Sequence, residues 1–232
     1  VEVPIYAAVS VAAVSEATDL SNTAINPTSV TITASENGIM TTLTDLGRNA
    51  SPRNVAADIG RLFGEAIAKK IDTDLTALFD GFSTSVGAAD AALTVAKMFE
   101  AVANLRNSAV PIADVSAVLH PMIAYDLKAN LTNTFANSNA NDLANEALRN
   151  GFVGRLAGVP IFETSNIANT GTTGDYKNGV FHRDALGLAM MQDLKIETQR
   201  DASLRADEIV ATAVYGVGEL DDSKGCEVEA DS

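Results

Sequence analysis

Three glycines recur within eight residues of the segment GFVGRLAGVPIFETSNI, residues 151–167, and their spacing raises the question of a phosphate-binding loop. A dinucleotide-binding loop reads G-x-G-x-x-G between a strand and a helix, whereas Gly151, Gly154 and Gly158 read G-x-x-G-x-x-x-G before a strand-like run. The chain also has no G-x-x-x-x-G-K-[ST] sequence. Pro160 instead favours a sharp turn into a strand, because proline fixes φ and donates no backbone hydrogen bond. We therefore predict a backbone turn at these four residues.

The remaining candidates for chemistry are two histidines and one cysteine. His120 comes at the end of a predicted strand, where a capping or turn role is favoured over general base catalysis. His182 has a carboxylate two residues on but no nucleophile near it in sequence, which favours a structural histidine whose hydrogen bonds are satisfied. Acidic neighbours of Cys226 raise a thiol pKa and make it a poor nucleophile. We predict no catalytic, cofactor-binding or metal-binding residue.

Composition narrows the class of protein further. The chain has 232 residues, of which 47% are hydrophobic and 20% charged, so it can bury a globular core. Its formal charge of −14 repels nucleic-acid phosphate and disfavours sequence-reading DNA binding. The longest apolar run, Ile5–Val14, is too short to span a bilayer.

The stretch around Glu36-Asn37-Gly38 predicts a β-hairpin over residues 28–45. β-branched and polar residues alternate on both sides, and Asn-Gly is a strong signal for a tight turn. Neither face is apolar enough for a deep core, so the hairpin is either an edge of the main sheet or an arm lying on another subunit. The residues predicted to make such an inter-subunit contact are Thr31, Thr33, Glu36, Asn37, Gly38 and Thr42.

The next segment predicts one long helix. Ser51 fits the N-cap and Pro52 the first helical position, and apolar residues recur at helical spacing as far as Phe82. A helix of about 30 residues would be roughly 45 Å long, which suits a strut. Gly60 and Gly64 within it imply that another backbone passes nearby.

Two carboxylates of this helix are predicted to lie on a solvated face. Asp72 and Asp74 are two residues apart and point in different directions, so they do not form a paired acid and base.

Downstream, helices and strands alternate. The pattern predicts a helix over Thr94–Arg106, a strand over Val115–His120 and a helix opening at Pro121. Asparagine-rich residues 132–142 predict a loop, and residues 143–149 a short helix. Two β runs, Leu194–Arg200 and Glu208–Leu220, are predicted to pair across residues 201–207.

In this order the elements resemble the major capsid proteins of tailed phages, the Hong Kong 97-type fold. The residues that carry the resemblance are GRLAGVPIFETSNI at 154–167, GVFHRDALGLAM at 179–190 and KIETQRDASLRADEIVATAVYGV at 195–217. The resemblance implies an α+β chain with an N-terminal arm at 1–24, an extended hairpin at 25–48, a spine helix at 52–82 within a peripheral domain of 49–87 and 192–232, and an axial domain at 88–191.

The implied function is structural rather than enzymatic. Copies of the chain would form hexamers and pentamers of an icosahedral head, assembled in the host cytoplasm around double-stranded DNA that is enclosed without sequence-specific binding. Scaffolding, portal and decoration proteins are the expected partners, with no cofactor and no membrane. Some members crosslink through a hairpin lysine, but the first lysine here is Lys69, so we predict a shell without covalent crosslinks.

Two alternatives stay open at this point. An encapsulin-like nanocompartment has the same fold but encloses a cargo enzyme instead of a genome. A small α/β enzyme that binds a ligand at the glycine-rich turn is the alternative from another class.

Overall fold

The computed structural model describes residues 1–6, 9–11, 13–16, 19, 22–50, 54–135, 154–169 and 174–231, with the backbone alone for residues 130–135. Its helices are α1 Asp45–Ala50, α2 Val55–Thr76, α3 Val95–Asn107 and α4 Pro121–Phe135. Its strands are β1 Glu2–Ile5, β2 Thr28–Thr31, β3 Ser35–Thr44, β4 Ser85–Ala92, β5 Val115–Leu119, β6 Arg155–Leu156, β7 Val159–Glu163, β8 Tyr176–His182, β9 Leu186–Asp201, β10 Ala206–Glu219 and β11 Gly225–Asp231. Short 3₁₀ turns cover Ala77–Gly81, Ile112–Asp114 and Asp222–Lys224.

This mixed α+β architecture agrees with the predicted fold class, and several elements match their predicted positions. Helix α3, strand β5 and the start of α4 lie where the sequence pattern placed them. Helix α4 runs through Phe135, so the predicted loop begins too early at residue 132. The helix predicted over residues 143–149 lies outside the described residues. None of the described helices is long and apolar enough to cross a membrane.

Helix α2 is shorter than the predicted strut. The Asn54 side chain caps it by accepting a hydrogen bond from the Ala57 N–H at 3.4 Å. The predicted cap Ser51 and Pro52 lie outside the described residues. Its 22 residues give a length of about 33 Å, and after Thr76 the chain tightens into a 3₁₀ turn that ends before Phe82.

The glycines of α2 do not mark a backbone crossing within this chain. A Cβ at Gly60 would have nothing within 4 Å, and one at Gly64 would meet only the Leu194 side chain, at 3.8 Å. The prediction that another backbone passes close to both glycines is therefore wrong for the single chain.

One face of α2 packs on a three-stranded antiparallel sheet with the order β3-β10-β9. Alternate residues of β10 point to the helix, and they form one core with Phe63 and Ile67 of α2; these residues are Ile209, Ala211, Ala213 and Tyr215. Strands β9 and β10 pair as a long hairpin, as the sequence predicted.

Ion pairs hold α1 against the tip of the β9–β10 hairpin. The Arg200 guanidinium donates to both Asp45 oxygens at 2.6 and 2.8 Å and to Asp207 at 3.2 Å, and Arg48 donates to Asp207 at 2.7 Å. The hydrogen bond from Arg200 is the main cause that lowers the pKa of Asp45 to about 2. Because these side chains are exposed to water, the network orients α1 more than it stabilises the fold.

The second sheet has six strands in the order β4-β11-β8-β5-β7-β6. Helices α3 and α4 pack on one face, where Val180 of β8 and Ala117 of β5 are fully buried. Their sequence neighbours Phe181 and Val118 point to the other face and contact a smaller cluster of Phe79, Phe82, Ile167 and Ala185. The end of the α2 segment is therefore seated on this sheet.

Strand β11 corrects the predicted domain boundaries. The resemblance implied a peripheral domain that includes residues 192–232, but β11 lies between β4 and β8 in the six-stranded sheet. Its residues alternate between buried apolar positions, Cys226, Val228 and Ala230, and acidic positions. Alternation of buried and outward-facing residues is typical of a strand. It was not recognised in the sequence because the alternate residues Glu227, Glu229 and Asp231 are acidic.

Helix α2 is also joined to both sheets by polar contacts, so the prediction that Asp72 and Asp74 lie on a solvated face is wrong. The Asp72 carboxylate accepts hydrogen bonds from Thr164 Oγ1 at 2.8 Å and Asn166 Nδ2 at 2.5 Å, both in the segment after β7. The Asp74 carboxylate accepts one from the Tyr215 hydroxyl at 2.8 Å. Burial, with this carboxylate beside it, raises the pKa of Tyr215 to about 12.

Replacing Asp72 with alanine tests this attachment. Asp72→Ala leaves Thr164 and Asn166 without their shared acceptor, and we expect a loss of about 1–2 kcal/mol in the free energy of unfolding, measured by urea denaturation. Glu65→Ala on the exposed face of the same helix is the control, since its ion pair with Arg61 at 3.3 Å is solvated. Equal losses in the two variants would contradict the attachment.

Candidate subunit-contact surfaces

The predicted hairpin over residues 28–45 is wrong. Strand β2 pairs with β1 near the N-terminal end of the chain, while β3 pairs with β10. Asn37 and Gly38 lie inside β3, opposite Ala213 and Thr212, and make no turn. Pairing with β10 places β3 beside the core under α2, and this long-range burial outweighs the local turn preference of Asn-Gly.

The six residues predicted for inter-subunit contact are therefore split between two structures. Thr31 ends β2, Thr33 lies in the β2–β3 connection, and Glu36, Asn37, Gly38 and Thr42 belong to β3. All but the half-buried Asn37 are exposed. The five exposed residues lie on the surface of β2, of the β2–β3 connection and of β3, and do not form the tip of a hairpin.

The ladder that the structure does contain joins β1 to β2 and closes a segment over residues 6–27. Glu2 pairs with Thr31 and Ile5 with Thr28, and Val1 exchanges two backbone hydrogen bonds of 2.8 Å with Ile32. We call residues 1–34 the arm. The sequence has no turn signal between these distant strands, and the family resemblance implied an N-terminal arm only over residues 1–24.

Apolar side chains of the arm project into solvent. Val11 is fully exposed, and the other large exposed side chains are Val1, Tyr6, Val9, Val14 and Ile25. A concentration of exposed apolar groups of this kind is typical of a surface that another molecule covers.

A second apolar surface adjoins the arm. Among the described strands, β9 is hydrogen-bonded only to β10, so the other edge of this 16-residue strand has no partner there. Its exposed large side chains are Leu188, Met190, Met191, Leu194 and Ile196. Where β9 meets the arm, a groove of about 560 Å³ is lined by Val1, residues 31–34 and residues 189–191. Long apolar edge strands of this kind tend to pair with another chain.

The glycine-rich segment forms a tight hairpin. Arg155 pairs with Pro160 and Leu156 with Val159, which leaves a two-residue turn at Ala157-Gly158. Both turn residues have positive φ, 54° and 86°, as a type I′ turn requires. Gly154 precedes β6, and Gly151 lies outside the described residues. The segment leads into β7 without a following helix, so its backbone N–H groups do not converge as they do in a phosphate loop.

The candidate nucleophile and bases do not assemble in the described residues. Cys226 is buried in β11, and burial raises the pKa of its thiol to about 12. His120 stacks on Tyr176 with ring centres 3.7 Å apart, and its Nδ1 accepts from the Met122 N–H, which is the turn role that the sequence predicted. Burial lowers the pKa of His120.

His182 is only half satisfied, contrary to the prediction. Its Nδ1 accepts a hydrogen bond from the Asp184 N–H at 3.2 Å. Its buried Nε2 has no hydrogen-bond partner among the described residues, and the nearest carboxylate oxygen, of Asp114, is 4.0 Å away.

One group of carboxylates could hold a cation in the part of the chain that the structure describes. Ligand oxygens of Asp90, Asp175 and Asp231 lie within 4.8 Å of one another. The Asp90 N–H already donates to Asp175 at 3.1 Å, which accounts for part of this approach without an ion.

Comparison with known proteins gives a family and a fold. A family model described as phage capsid protein matches residues 6–231. The chain is similar to the capsid of the cyanophage P-SCSP1u, with a TM-score of 0.80 at 18% identity over 100% of this chain and 83% of that one. A structure from Mycobacterium phage Che8 gives 0.78 at 22% identity over 98% and 83%. No curated protein sequence matches the chain.

An encapsulin shares the fold at greater distance. The SrpI encapsulin of Synechococcus elongatus PCC 7942 gives a TM-score of 0.65 at 12% identity and covers 89% of this chain and 76% of its own. The likeness supports a common shell fold.

Substitution of Gly158 tests the turn at the start of β7. Gly158→Val forces a β-branched residue into positive φ, and we expect a loss of about 1–3 kcal/mol in the free energy of unfolding. Space is not the cause, because a Cβ there would meet only Ile112, at 3.8 Å. Gly158→Asn is the matched variant, since asparagine tolerates this conformation and should lose less than half as much in chemical denaturation. Equal losses would contradict a conformational role.

Proposed function

The chain belongs to the phage capsid protein family, and we propose that its copies form hexamers and pentamers that close into an icosahedral head around double-stranded DNA. Membership and fold identify it as a major capsid protein, a structural subunit of the shell of the virion. The observation that supports assembly in this chain is the exposed apolar surface of the arm and β9. Exposed apolar surface does not stabilise a single subunit, whereas contacts between many copies would bury it.

We assign the arm, rather than the predicted hairpin at 25–48, as the element that overlaps a neighbouring subunit. Its two strands form a ladder separate from the two larger sheets, and six of its large apolar side chains are exposed. Thr31 and Thr33 belong to this arm, and Glu36, Gly38 and Thr42 are exposed residues of the next strand, β3. These residues are our candidates for the contact.

The two sheets divide into the domains that we propose for the subunit. The peripheral domain consists of α1, α2 and the β3-β10-β9 sheet, and the axial domain of the six-stranded sheet with α3 and α4. The revised axial domain includes β11. The turn at Gly154, Gly158 and Pro160 lies in the axial domain and shapes it, without binding a ligand.

The net negative charge of the chain supports a shell that does not bind the enclosed DNA tightly. The chain carries 30 acidic and 16 basic residues, so a wall built from it repels DNA phosphate overall. We propose that the genome is enclosed without sequence-specific contacts, that assembly takes place in the host cytoplasm, and that scaffolding, portal or decoration proteins complete the head. The subunit has a structural role with no cofactor and no reaction of its own.

The encapsulin-like compartment is the second candidate, supported by the fold it shares. The two functions differ in what the particle encloses. Double-stranded DNA extracted from nuclease-treated native particles would support the phage head, and a co-purifying enzyme without DNA would support the compartment. A protein that stays monomeric under all assembly conditions would contradict both.

A charge on the arm should block assembly without unfolding the subunit. We expect Val11→Glu to reduce the yield of particles at least tenfold in negative-stain electron microscopy, because burying an unpaired carboxylate in an apolar contact is costly. Val11 is fully exposed in the single chain, so the melting temperature of the unassembled subunit should not change. Val11→Thr keeps the shape and is the control. Normal assembly of the glutamate variant would contradict a role of the arm in the interface between subunits.

Covalent crosslinking offers an independent test of how the shell is held. The first lysine is Lys69, so residues 1–68 cannot supply a lysine for an isopeptide bond. We expect assembled particles boiled in denaturant to run as a single band at the mass of one subunit in gel electrophoresis. A ladder of covalent multimers would contradict a shell held by non-covalent contacts.

A further inference from the structure

One residue near the C-terminal end of the arm is buried, although the rest of the arm is open to solvent. Ile32 follows β2 and is 3% exposed, whereas all other described residues of the arm are exposed or half-buried. Its backbone also closes the ladder between β1 and β2, through the two hydrogen bonds of 2.8 Å with Val1. Ile32 therefore holds both strands of the arm at the point where they meet the rest of the subunit.

The Ile32 side chain occupies a socket that is lined by glycines of β9 and β10. A Cβ on Gly187 would lie 2.9 Å from Ile32 Cδ1, and a Cβ on Gly218 would lie 3.1 Å from Ile32 Cγ1. Gly187 and Gly218 are direct partners in the β9–β10 ladder, so their missing side chains leave one opening in the surface of the sheet. Glycine inside a strand often marks a place where another part of the chain approaches closely, and here Ile32 is that part.

The backbone of the arm crosses the sheet at the same point. A Cβ on Gly216 would clash with the carbonyl oxygen of Thr33, so any other residue there would push this segment away. Gly216 and Gly218 alternate along β10 with residues that face α2, such as Tyr215. Residues 32 and 33 therefore pass over the face of the three-stranded sheet that is opposite α2.

The socket is separate from the two main hydrophobic cores. Among the described residues, the core under α2 and the core of the six-stranded sheet are both formed without Ile32. Strands β1 and β2 pair with each other and with no other described strand. The packing of Ile32 is therefore the apolar attachment of the arm, and it can open locally while both cores stay folded.

We propose that Ile32 and its glycine socket are the anchor that fixes the direction in which the arm extends to a neighbouring subunit. This inference rests on the assignment of the arm as the element that overlaps that neighbour. An arm that swings freely loses conformational entropy whenever it binds, and this loss weakens each contact in the shell. An anchored arm is ordered before it binds. Because Ile32 is buried in its own subunit, it is a positioning residue that acts on the contact through the direction of the arm.

Ile32→Ala empties the socket, and hydrogen exchange of the unassembled subunit measures the consequence. We expect the amides of residues 28–33 to exchange about tenfold faster than in the wild type, because loss of a buried isoleucine side chain favours local opening. The yield of closed particles in negative-stain electron microscopy should fall as well. Ile25→Ala makes the same change at an exposed position of the arm and should leave the exchange of residues 28–33 unaltered.

A compensating substitution separates the anchor from a general loss of stability. The three atoms nearest to a Cβ on Gly218 all belong to Ile32, and the Ile32 Cβ, which Ile32→Ala retains, is 4.0 Å away. This is an ordinary van der Waals distance, so an added methyl group would fill part of the space that the isoleucine leaves. The double variant Ile32→Ala/Gly218→Ala should therefore exchange more slowly at residues 28–33 than Ile32→Ala and form more particles.

The proposal is overturned if Ile32→Ala exchanges like the wild type, if Ile25→Ala loosens residues 28–33 equally, or if the double variant is no better than the single one. It is also overturned if the arm loosens in Ile32→Ala but particles form at the wild-type yield, because the direction of the arm would then not matter for assembly. A wild-type protein that forms no particles would instead contradict the proposed function, and the exchange comparison would still decide whether Ile32 anchors the arm.

Discussion

The fold depends on the burial of one continuous segment, residues 206–231. Strand β10 is the central strand of the three-stranded sheet, and β11 lies inside the six-stranded sheet between β4 and β8. Both strands bury their alternate apolar residues almost completely, against α2 in one case and against α3 and its neighbours in the other. Neither sheet has its core without this last part of the chain, so the two halves of the molecule are interdependent although each has its own hydrophobic cluster.

This arrangement explains why so much of the first 34 residues is left uncovered. The C-terminal strands and helices α2, α3 and α4 fill the interior of both sheets, whereas most of the arm and the large apolar side chains of β9 stay exposed among the described residues. Apolar burial stabilises a subunit only if something excludes water from the surface. In a shell, identical copies do this, and the energy that holds the particle comes from surface that the single subunit leaves exposed.

Short sequence patterns predicted the elements that depend on residues close together in the chain. Thr94, where the sequence predicted that a helix begins, is the N-cap of α3, and Gly158, one of the four residues predicted to form a turn, makes a turn with Ala157 in which both residues have positive φ. The Asn37-Gly38 turn failed because a partner strand about 170 residues later offers more burial than a local hairpin. Strand β11 was missed because its buried residues alternate with acids, and Asp72 because its partners lie more than 90 residues away. The order of the elements carried the family resemblance, which no single motif could have carried alone.

The low sequence identity between this chain and known structures of the same fold also has a physical explanation. Structures that share 12–22% of residues with this chain keep its fold over 89–100% of its length. Packing of α2 on β10 needs alternating small and large apolar residues, and the β6–β7 turn needs two residues that tolerate positive φ, but neither needs particular amino acids. Polar contacts between elements, such as those of Asp72 with Thr164 and Asn166, are more demanding, because each needs a donor placed opposite an acceptor. With the Asp74–Tyr215 hydrogen bond, these contacts join α2 to both sheets and so help to fix the position of the helix between them.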